Sequence, residues 1–166
     1  MRGKVVILSI VAVALLATGF GIWFQRQKTY LVLQWLGPDA ARCISRAEQV
    51  FFLEFPSEAP QGEFSSATSI IIADKEVAII RRTEVTKEPG LVHLRHALTQ
   101  NASYQWQAPN SANGDWEFAL QFVYRSQTST LLFDLNRQMV CHLETGESVA
   151  LAEHFGAGVQ HYRADL

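Results

Sequence analysis

The chain has 166 residues, a formal net charge of −2 and a hydrophobic fraction of 48%. This length can build one domain with a real core but leaves little room for a second. Residues 29–166 hold ten Lys and Arg against sixteen Asp and Glu, a formal charge of −6. Nucleic acid and anionic lipid headgroups are therefore disfavoured as partners, because both require a basic face.

The first predicted element is a transmembrane helix at the N-terminus. The twenty residues from Val5 to Phe24 carry no formal charge, and at about 1.5 Å per residue they would cross a hydrocarbon core of about 30 Å. Arg2 and Lys4 precede this run and Arg26 and Lys28 follow it, as is usual for an anchor. The pattern predicts a single span, with the lipid bilayer as a partner of residues 5–24.

A cleaved signal peptide is the alternative interpretation, with small residues at 17–19 as the cleavage site. The apolar run continues beyond that site, which favours an uncleaved anchor of residues 1–28. Because the short N-terminus is basic, we expect it in the cytoplasm and expect a domain of residues 38–166 in the periplasm or outside the cell. Residues 29–37 would form a juxtamembrane segment.

Beyond the anchor, turn signals and apolar periodicity predict alternating helices and strands. In chain order we predict a helix at 38–47, a strand at 50–55, a loop at 57–66, a hairpin with strands at 70–72 and 77–80, a helix from 89 to about 100, a loop at 107–115, strands at 116–124, 131–135 and 140–145, and a short helix at 149–154. This order indicates an α+β fold in which two to three helices cover one face of a mostly antiparallel sheet of about five to six strands.

Two cysteines, Cys43 and Cys141, allow at most one intramolecular disulfide, which an exported location would permit. Cys43 falls on a predicted helix and Cys141 on a predicted strand. Both could equally be small buried apolar residues.

The strongest pattern for a metal site is the pair His93 and His96, because histidines at i and i+3 of a helix can approach one ion. Cys141, His142 or His154 could supply further ligands. The competing interpretation is that the pair flanks the core-facing side of its helix and is half exposed. Two ligands without a second pair are a weak signal, and no cofactor is predicted.

Aromatic residues are dense between positions 104 and 124, and strand alternation explains most of them as core. Tyr104 and Trp106 lie outside the regular strands, next to a polar loop, and are better candidates for a recognition surface. Trp35, in the segment after the anchor, is a further candidate, although it also has the character of a packed residue.

The sequence carries no motif of the familiar catalytic classes. It has no G-x-S-x-G elbow, no glycine-rich phosphate loop, no H-E-x-x-H and no C-x-x-C pair, each of which supplies a defined chemistry. We therefore expect a protein that is not an enzyme.

The helix GLVHLRHAL, the turn NASYQW and the strand TLLFDL, all between residues 90 and 135, resemble segments of small uncharacterised bacterial exported or membrane-anchored proteins. The resemblance covers about a quarter of the chain. It implies a bacterial envelope location and transfers no functional residue.

These observations together predict a membrane-anchored accessory or partner-binding protein without catalytic activity, which docks on another membrane or envelope protein. The second hypothesis is an extracytoplasmic domain that binds an apolar or envelope ligand in a hollow between sheet and helix. The third is a metal-dependent or hydrolytic enzyme, which would require the histidines to converge near a cleft.

Overall fold

The computed structural model describes residues 2–56, 69–72, 75–106 and 114–166. Within the first helix it describes side chains only from Val13 onward, excepting residues 14, 15, 22 and 24–26. The predicted loop at 57–66, residues 107–113 of the next predicted loop and Asp74 of the predicted hairpin turn lie outside the described residues.

Helices lie at both ends of the chain and between groups of strands. The helices are α1 (Arg2–Leu36), α2 (Pro38–Arg46), α3 (Leu91–Leu98), a short 3₁₀ helix (Asn101–Ser103) and α4 (Glu153–Ala164). The strands are β1 (Gln49–Glu54), β2 (Ser69–Ile72), β3 (Lys75–Ala78), β4 (Arg81–Glu84), β5 (Tyr104–Gln105), β6 (Phe118–Tyr124), β7 (Gln127–Asp134), β8 (Met139–His142) and β9 (Glu147–Leu151).

Seven strands form one antiparallel sheet in the order β4-β1-β6-β7-β8-β9-β5, and β2 and β3 form a separate hairpin. The predicted α+β fold with a mostly antiparallel sheet is confirmed. The described strands outnumber the five to six that we expected, because β4, β5 and β9 were not predicted. The predicted helix at 149–154 is wrong: the chain continues as β9 to Leu151, and α4 begins only at Glu153.

The helices pack on one face of the sheet around a core of large apolar side chains. Phe118 stacks between Phe52 and Phe133, with ring centroids 5.2 and 4.9 Å away. The fully buried members of this core include Val32, Ile44, Val50, Leu98, Phe122, Leu131, Val140 and Leu151. Val32 belongs to α1, so the last part of the first helix is a component of the domain.

The opposite face of the sheet is covered by the β2–β3 hairpin. Leu53, Ala119 and Leu132 of the sheet form a second, smaller cluster with Ile72 of β2, and Val77 of β3 packs against it. The central strands are thus buried on both faces, which explains why Ala119 and Leu132 are buried alongside the alternating phenylalanines.

The predicted membrane anchor is wrong. In the part of the chain that the structure describes, no helix is both long enough and apolar enough to cross a membrane. This finding contradicts the predicted span, the signal anchor and the single-pass membrane location. The bilayer as a partner and the side of the membrane on which the domain lies stay predictions. α1 instead runs unbroken from Arg2 to Leu36, so the predicted boundary between residues 28 and 29 falls inside one helix.

Candidate partner-binding surface

The C-terminal turns of α1 hold this long helix against the domain. Val32, Trp35 and Leu36 are at most 7% exposed and belong to the main core. Gly37 then adopts a positive φ of 81°, a conformation that glycine tolerates without strain, and α2 begins at Pro38. The chain therefore turns sharply after Leu36, and α1 and α2 pack against each other.

Trp35, Tyr104 and Trp106, the three residues predicted for a recognition surface, lie together. The Trp35 ring centroid is 5.2 Å from that of Tyr104 and 6.4 Å from that of Trp106, and the Trp35 indole donates to the Glu147 carbonyl at 3.2 Å. Trp35 and Tyr104 are buried and Trp106 is half-buried. Burial also raises the pKa of the Tyr104 hydroxyl. In this arrangement the aromatic cluster fixes α1 to the sheet and presents little surface.

Asn101 joins the 3₁₀ helix to the backbone of α1. Its side-chain amide donates to the Gln27 carbonyl at 2.6 Å, and its side-chain oxygen accepts from the Val32 N–H at 3.0 Å. Both polar groups of the Asn101 side chain therefore form hydrogen bonds with the α1 backbone. Asn101 and the aromatic cluster therefore hold the C-terminal turns of α1, from Gln27 onward, against the domain.

Before the buried turns at its C-terminal end, α1 carries large apolar side chains that face solvent. Val13, Leu16, Phe20, Trp23 and Tyr30 are 54–74% exposed, and we call them the α1 stripe. Successive members are separated by three, four, three and seven residues. This is the alternating three- and four-residue spacing of a helix seam that packs against another helix.

The α1 stripe differs from scattered exposed apolar residues, which are common on protein surfaces. Its members share one helix, and the rings of Phe20 and Trp23 lie 5.7 Å apart. The chemistry of such a surface is the binding of a complementary apolar helix or groove.

The structure does not assemble the predicted metal ligands. His93 and His96 lie on the exposed side of α3, and across the described residues no group of three His, Cys, Asp or Glu side chains is placed to hold a metal ion. His96 shares a shallow cavity with the Arg95 guanidinium, whose positive charge disfavours a cation. Cys141, His142 and His154 do not join the pair.

Cys43 and Cys141 are free, buried thiols, so the considered disulfide is not formed. Cys43 packs in the main core, whereas Cys141 packs in the cluster on the opposite face of the sheet. Burial raises the pKa of the Cys43 thiol and raises that of Cys141 to about 11. Neither cysteine therefore has the thiolate character that a reactive cysteine needs.

A buried polar cluster surrounds His142, and the sequence did not indicate its members. The His142 Nε2 atom lies 2.9 Å from a Glu144 carboxylate oxygen and 3.3 Å from the Ser129 hydroxyl, and Nδ1 lies 3.1 Å from the Thr145 hydroxyl. Ser129 and His142 are almost fully buried. Glu144 also accepts from the Thr130 N–H at 3.1 Å.

The buried Ser129 hydroxyl does not have the geometry of the nucleophile in a nucleophile–base–acid relay. In such a relay the acid and the nucleophile contact different nitrogens of the imidazole, whereas Glu144 and Ser129 share Nε2. An ionised carboxylate can only accept hydrogen bonds, so Nε2 carries the hydrogen in its contact with Glu144. It therefore cannot accept a hydrogen bond from the Ser129 hydroxyl at the same time. The cluster satisfies the polar groups of a buried histidine.

Sequence reasoning missed Asn101, Ser129 and Glu144, since their roles depend on contacts between residues distant in the chain. The spacing of the α1 stripe is visible in the sequence. Hydropathy does not separate the stripe from its neighbours, because almost every residue between Val5 and Phe24 is apolar. Exposure does not separate it either, because every described side chain from Val13 to Lys28 is exposed, so the size and spacing of its members alone define it.

Comparison with protein-family models, with curated proteins and with solved structures finds no match to this chain.

Proposed function

We propose that this chain is an accessory protein without catalytic activity that binds a helix of a partner protein along the α1 stripe. The observation that carries this proposal is the row of exposed large apolar side chains at heptad-like spacing on one long helix. The C-terminal end of that helix is fixed to a folded domain. This supports a role in which the domain holds the exposed part of α1 in place for binding.

The binding energy available to the α1 stripe agrees with this role. Burial of one large apolar side chain contributes about 1.5–3 kcal/mol, and five such residues are exposed. Association costs roughly 4–15 kcal/mol in lost freedom of movement. Most of the stripe must therefore be covered, which favours a continuous helix as the partner over a short peptide.

Charge favours a different protein over a second copy of this chain. Residues 29–166 carry a formal charge of −6, and a parallel pair of α1 helices would place two such domains side by side. Like charge of this size opposes association at low salt. We therefore expect a partner whose surface beside its helix is neutral or basic.

The other two hypotheses draw less support from the geometry. The space between the sheet and the helices is filled by Phe118, Phe122 and Phe133, each at most 1% exposed, which counts against a hollow for an apolar ligand. The Ser129 hydroxyl beside His142 is 1% exposed and lacks the relay geometry described above, which counts against a hydrolase that uses Ser129.

The test compares two variants of the full-length chain that lose the same number of exposed apolar residues. The first changes the α1 stripe by Leu16→Gln, Phe20→Gln and Trp23→Gln. The matched control changes exposed residues elsewhere by Ile71→Gln, Ile80→Gln and Val92→Gln. Glutamine is a good helix former, so α1 should persist in the first variant, as circular dichroism can check.

Each tagged chain is purified from cells that express it naturally, and bound proteins are quantified by mass spectrometry. The proposal expects one partner at fixed stoichiometry on the wild type and the control, at least tenfold depleted on the stripe variant, and the same dependence when the purified partner is added back. Equal retention by all three chains would refute it. Loss of self-association alone would identify a second copy as the occupant and would also refute it.

A further inference from the structure

A surface cavity of about 580 Å³ lies between α2 and the turn that joins β6 to β7. None of its lining residues belongs to the α1 stripe. The side chains that line it are polar or cationic: Arg42, Arg46, Tyr124, Arg125, Ser126 and Gln127. Three arginines around one cavity contrast with the formal charge of −6 of residues 29–166.

Arg125 adopts a backbone conformation that arginine rarely takes. It is the first residue of a two-residue turn, because Tyr124 and Gln127 are paired across the hairpin, and its φ is 54°. Glycine or asparagine occupies such left-handed positions with less strain. Strained residues of this kind concentrate at binding sites, and here Arg125 lines the cavity.

The positive charge at the cavity is only partly compensated. Arg42 lies 3.4 Å from the Asp39 carboxylate, and both side chains are more than half exposed. No ion pair to Arg46 or Arg125 occurs among the residues that the structure describes, and the Arg125 guanidinium lies 5.2 Å from the centre of the Tyr124 ring. A favourable interaction with the helix dipole accounts for Arg46 near the end of α2, but it does not account for Arg125.

We infer that this cavity binds a small organic phosphate ester, with the phosphate held by Arg42, Arg46 and Arg125. Guanidinium groups match phosphate oxygens in a two-pronged geometry, and the Tyr124 and Ser126 hydroxyls and the Gln127 amide can donate further hydrogen bonds. The cavity has the volume of a small-molecule site, so it has room for an organic group beyond the phosphate.

The test is isothermal titration calorimetry on the full-length chain, with glucose 6-phosphate as the probe and with glucose, inorganic phosphate and glutamate for comparison. The informative variants are Arg125→Gly, which suits the positive φ of the turn, and Arg46→Gln. The matched control is Lys87→Gln, which removes one charge from an exposed position outside the cavity.

The inference expects saturable binding of one glucose 6-phosphate per chain, weakened at least tenfold in both arginine variants and unchanged in the Lys87 variant. Inorganic phosphate should bind more weakly than the ester, and glucose should not bind. Absence of binding to the wild type, equal affinity in the arginine variants, or equally tight binding of glutamate would each overturn it. Much tighter binding of a phosphoserine peptide would also overturn it, by assigning the cavity to a phosphorylated protein.

Discussion

The Glu144 side chain is partly exposed to solvent, and its carboxylate contacts the buried His142. Burial alone raises the pKa of this carboxyl, but the hydrogen bonds from His142 and from the Thr130 backbone outweigh it, and the net pKa lies below the ordinary value of 4.5. Since the folded-state pKa is lowered, the ionised form of Glu144 stabilises the folded state.

The lowered pKa of Glu144 predicts how the stability of the Glu144→Gln variant depends on pH. The stabilisation by ionised Glu144 is present above the unfolded-state pKa of about 4.5 and disappears as the pH falls through the lower folded-state pKa. The wild type should therefore melt at a higher temperature than the variant near pH 7, and the two melting temperatures should converge in acid. Thermal unfolding followed by circular dichroism between pH 7 and pH 3 measures this difference.

Glu147→Gln is the matched control for this measurement, because Glu147 is exposed and lies three residues further along the chain. Its melting temperature should differ little from that of the wild type at any pH in this range. A constant offset between the wild type and Glu144→Gln from neutral pH to acid would show that the ionised carboxylate has no stabilising role.

At the scale of elements, the turn from β7 to β8 and helix α4 fit together through Gln138 and Gly156. Gln138 has a φ of 54°, and its side-chain oxygen is buried without a hydrogen-bond partner in the described structure. A Cβ atom built on Gly156 would lie 1.7 Å from that oxygen. The absence of a side chain at position 156 is therefore what allows Gln138 to occupy its place.

This contact predicts that Gly156→Ala displaces the Gln138 side chain and breaks its hydrogen bond to the Leu135 carbonyl, at a cost of about 0.5–1.5 kcal/mol. The same substitution in a Gln138→Gly background should cost much less, because the clashing side chain is removed and glycine suits the positive φ. Urea denaturation of the two single variants and the double variant measures the coupling. Equal costs of Gly156→Ala in both backgrounds would contradict the predicted clash.

Elements with local signals were predicted from the sequence, and elements that depend on distant pairing were not. Pro38 and the glycine at 90 mark the starts of α2 and α3, and such signals act within one turn of helix. By contrast, β4 has the sequence RRTE and is largely exposed. It is a strand because its backbone pairs with β1, and no local pattern carries that information.

The same distinction applies to the candidate site. Trp35, Tyr104 and Trp106 could be selected from the sequence as unusual aromatic residues, but their burial depends on α1 packing against β5 and the 3₁₀ helix. Composition identified the apolar run at the N-terminus. It could not show that the helix would continue to Leu36 and end inside the core.

At the scale of the whole molecule, α1 has a part that belongs to the core and a part that lies outside it. Val32, Trp35 and Leu36 are buried, whereas the described members of the α1 stripe are exposed. The Gln27 carbonyl is the earliest described contact of α1 with the 3₁₀ helix. The stability of the domain should therefore depend on the residues after Gln27 and little on those before it.

Two shortened chains test this division of α1. A chain that starts at Gln27 should unfold within about 0.5 kcal/mol of the full-length chain, because the described side chains from Val13 to Trp23 are exposed and loss of exposed residues costs little. A chain that starts at Pro38 loses three buried apolar side chains, worth roughly 5–9 kcal/mol, which approaches the whole stability of a typical domain of about 5–15 kcal/mol. It should be largely unfolded.

Urea denaturation followed by circular dichroism compares the three chains without relying on Trp35 fluorescence, which the shortest chain lacks. A strong loss of stability in the chain that starts at Gln27 would mean that the earlier turns of α1 also pack on the domain. The α1 stripe would then be a stabilising surface of the fold, and its proposed role in binding a partner would lose its basis. Equal stability of all three chains would contradict the burial of Val32, Trp35 and Leu36 as a source of stability.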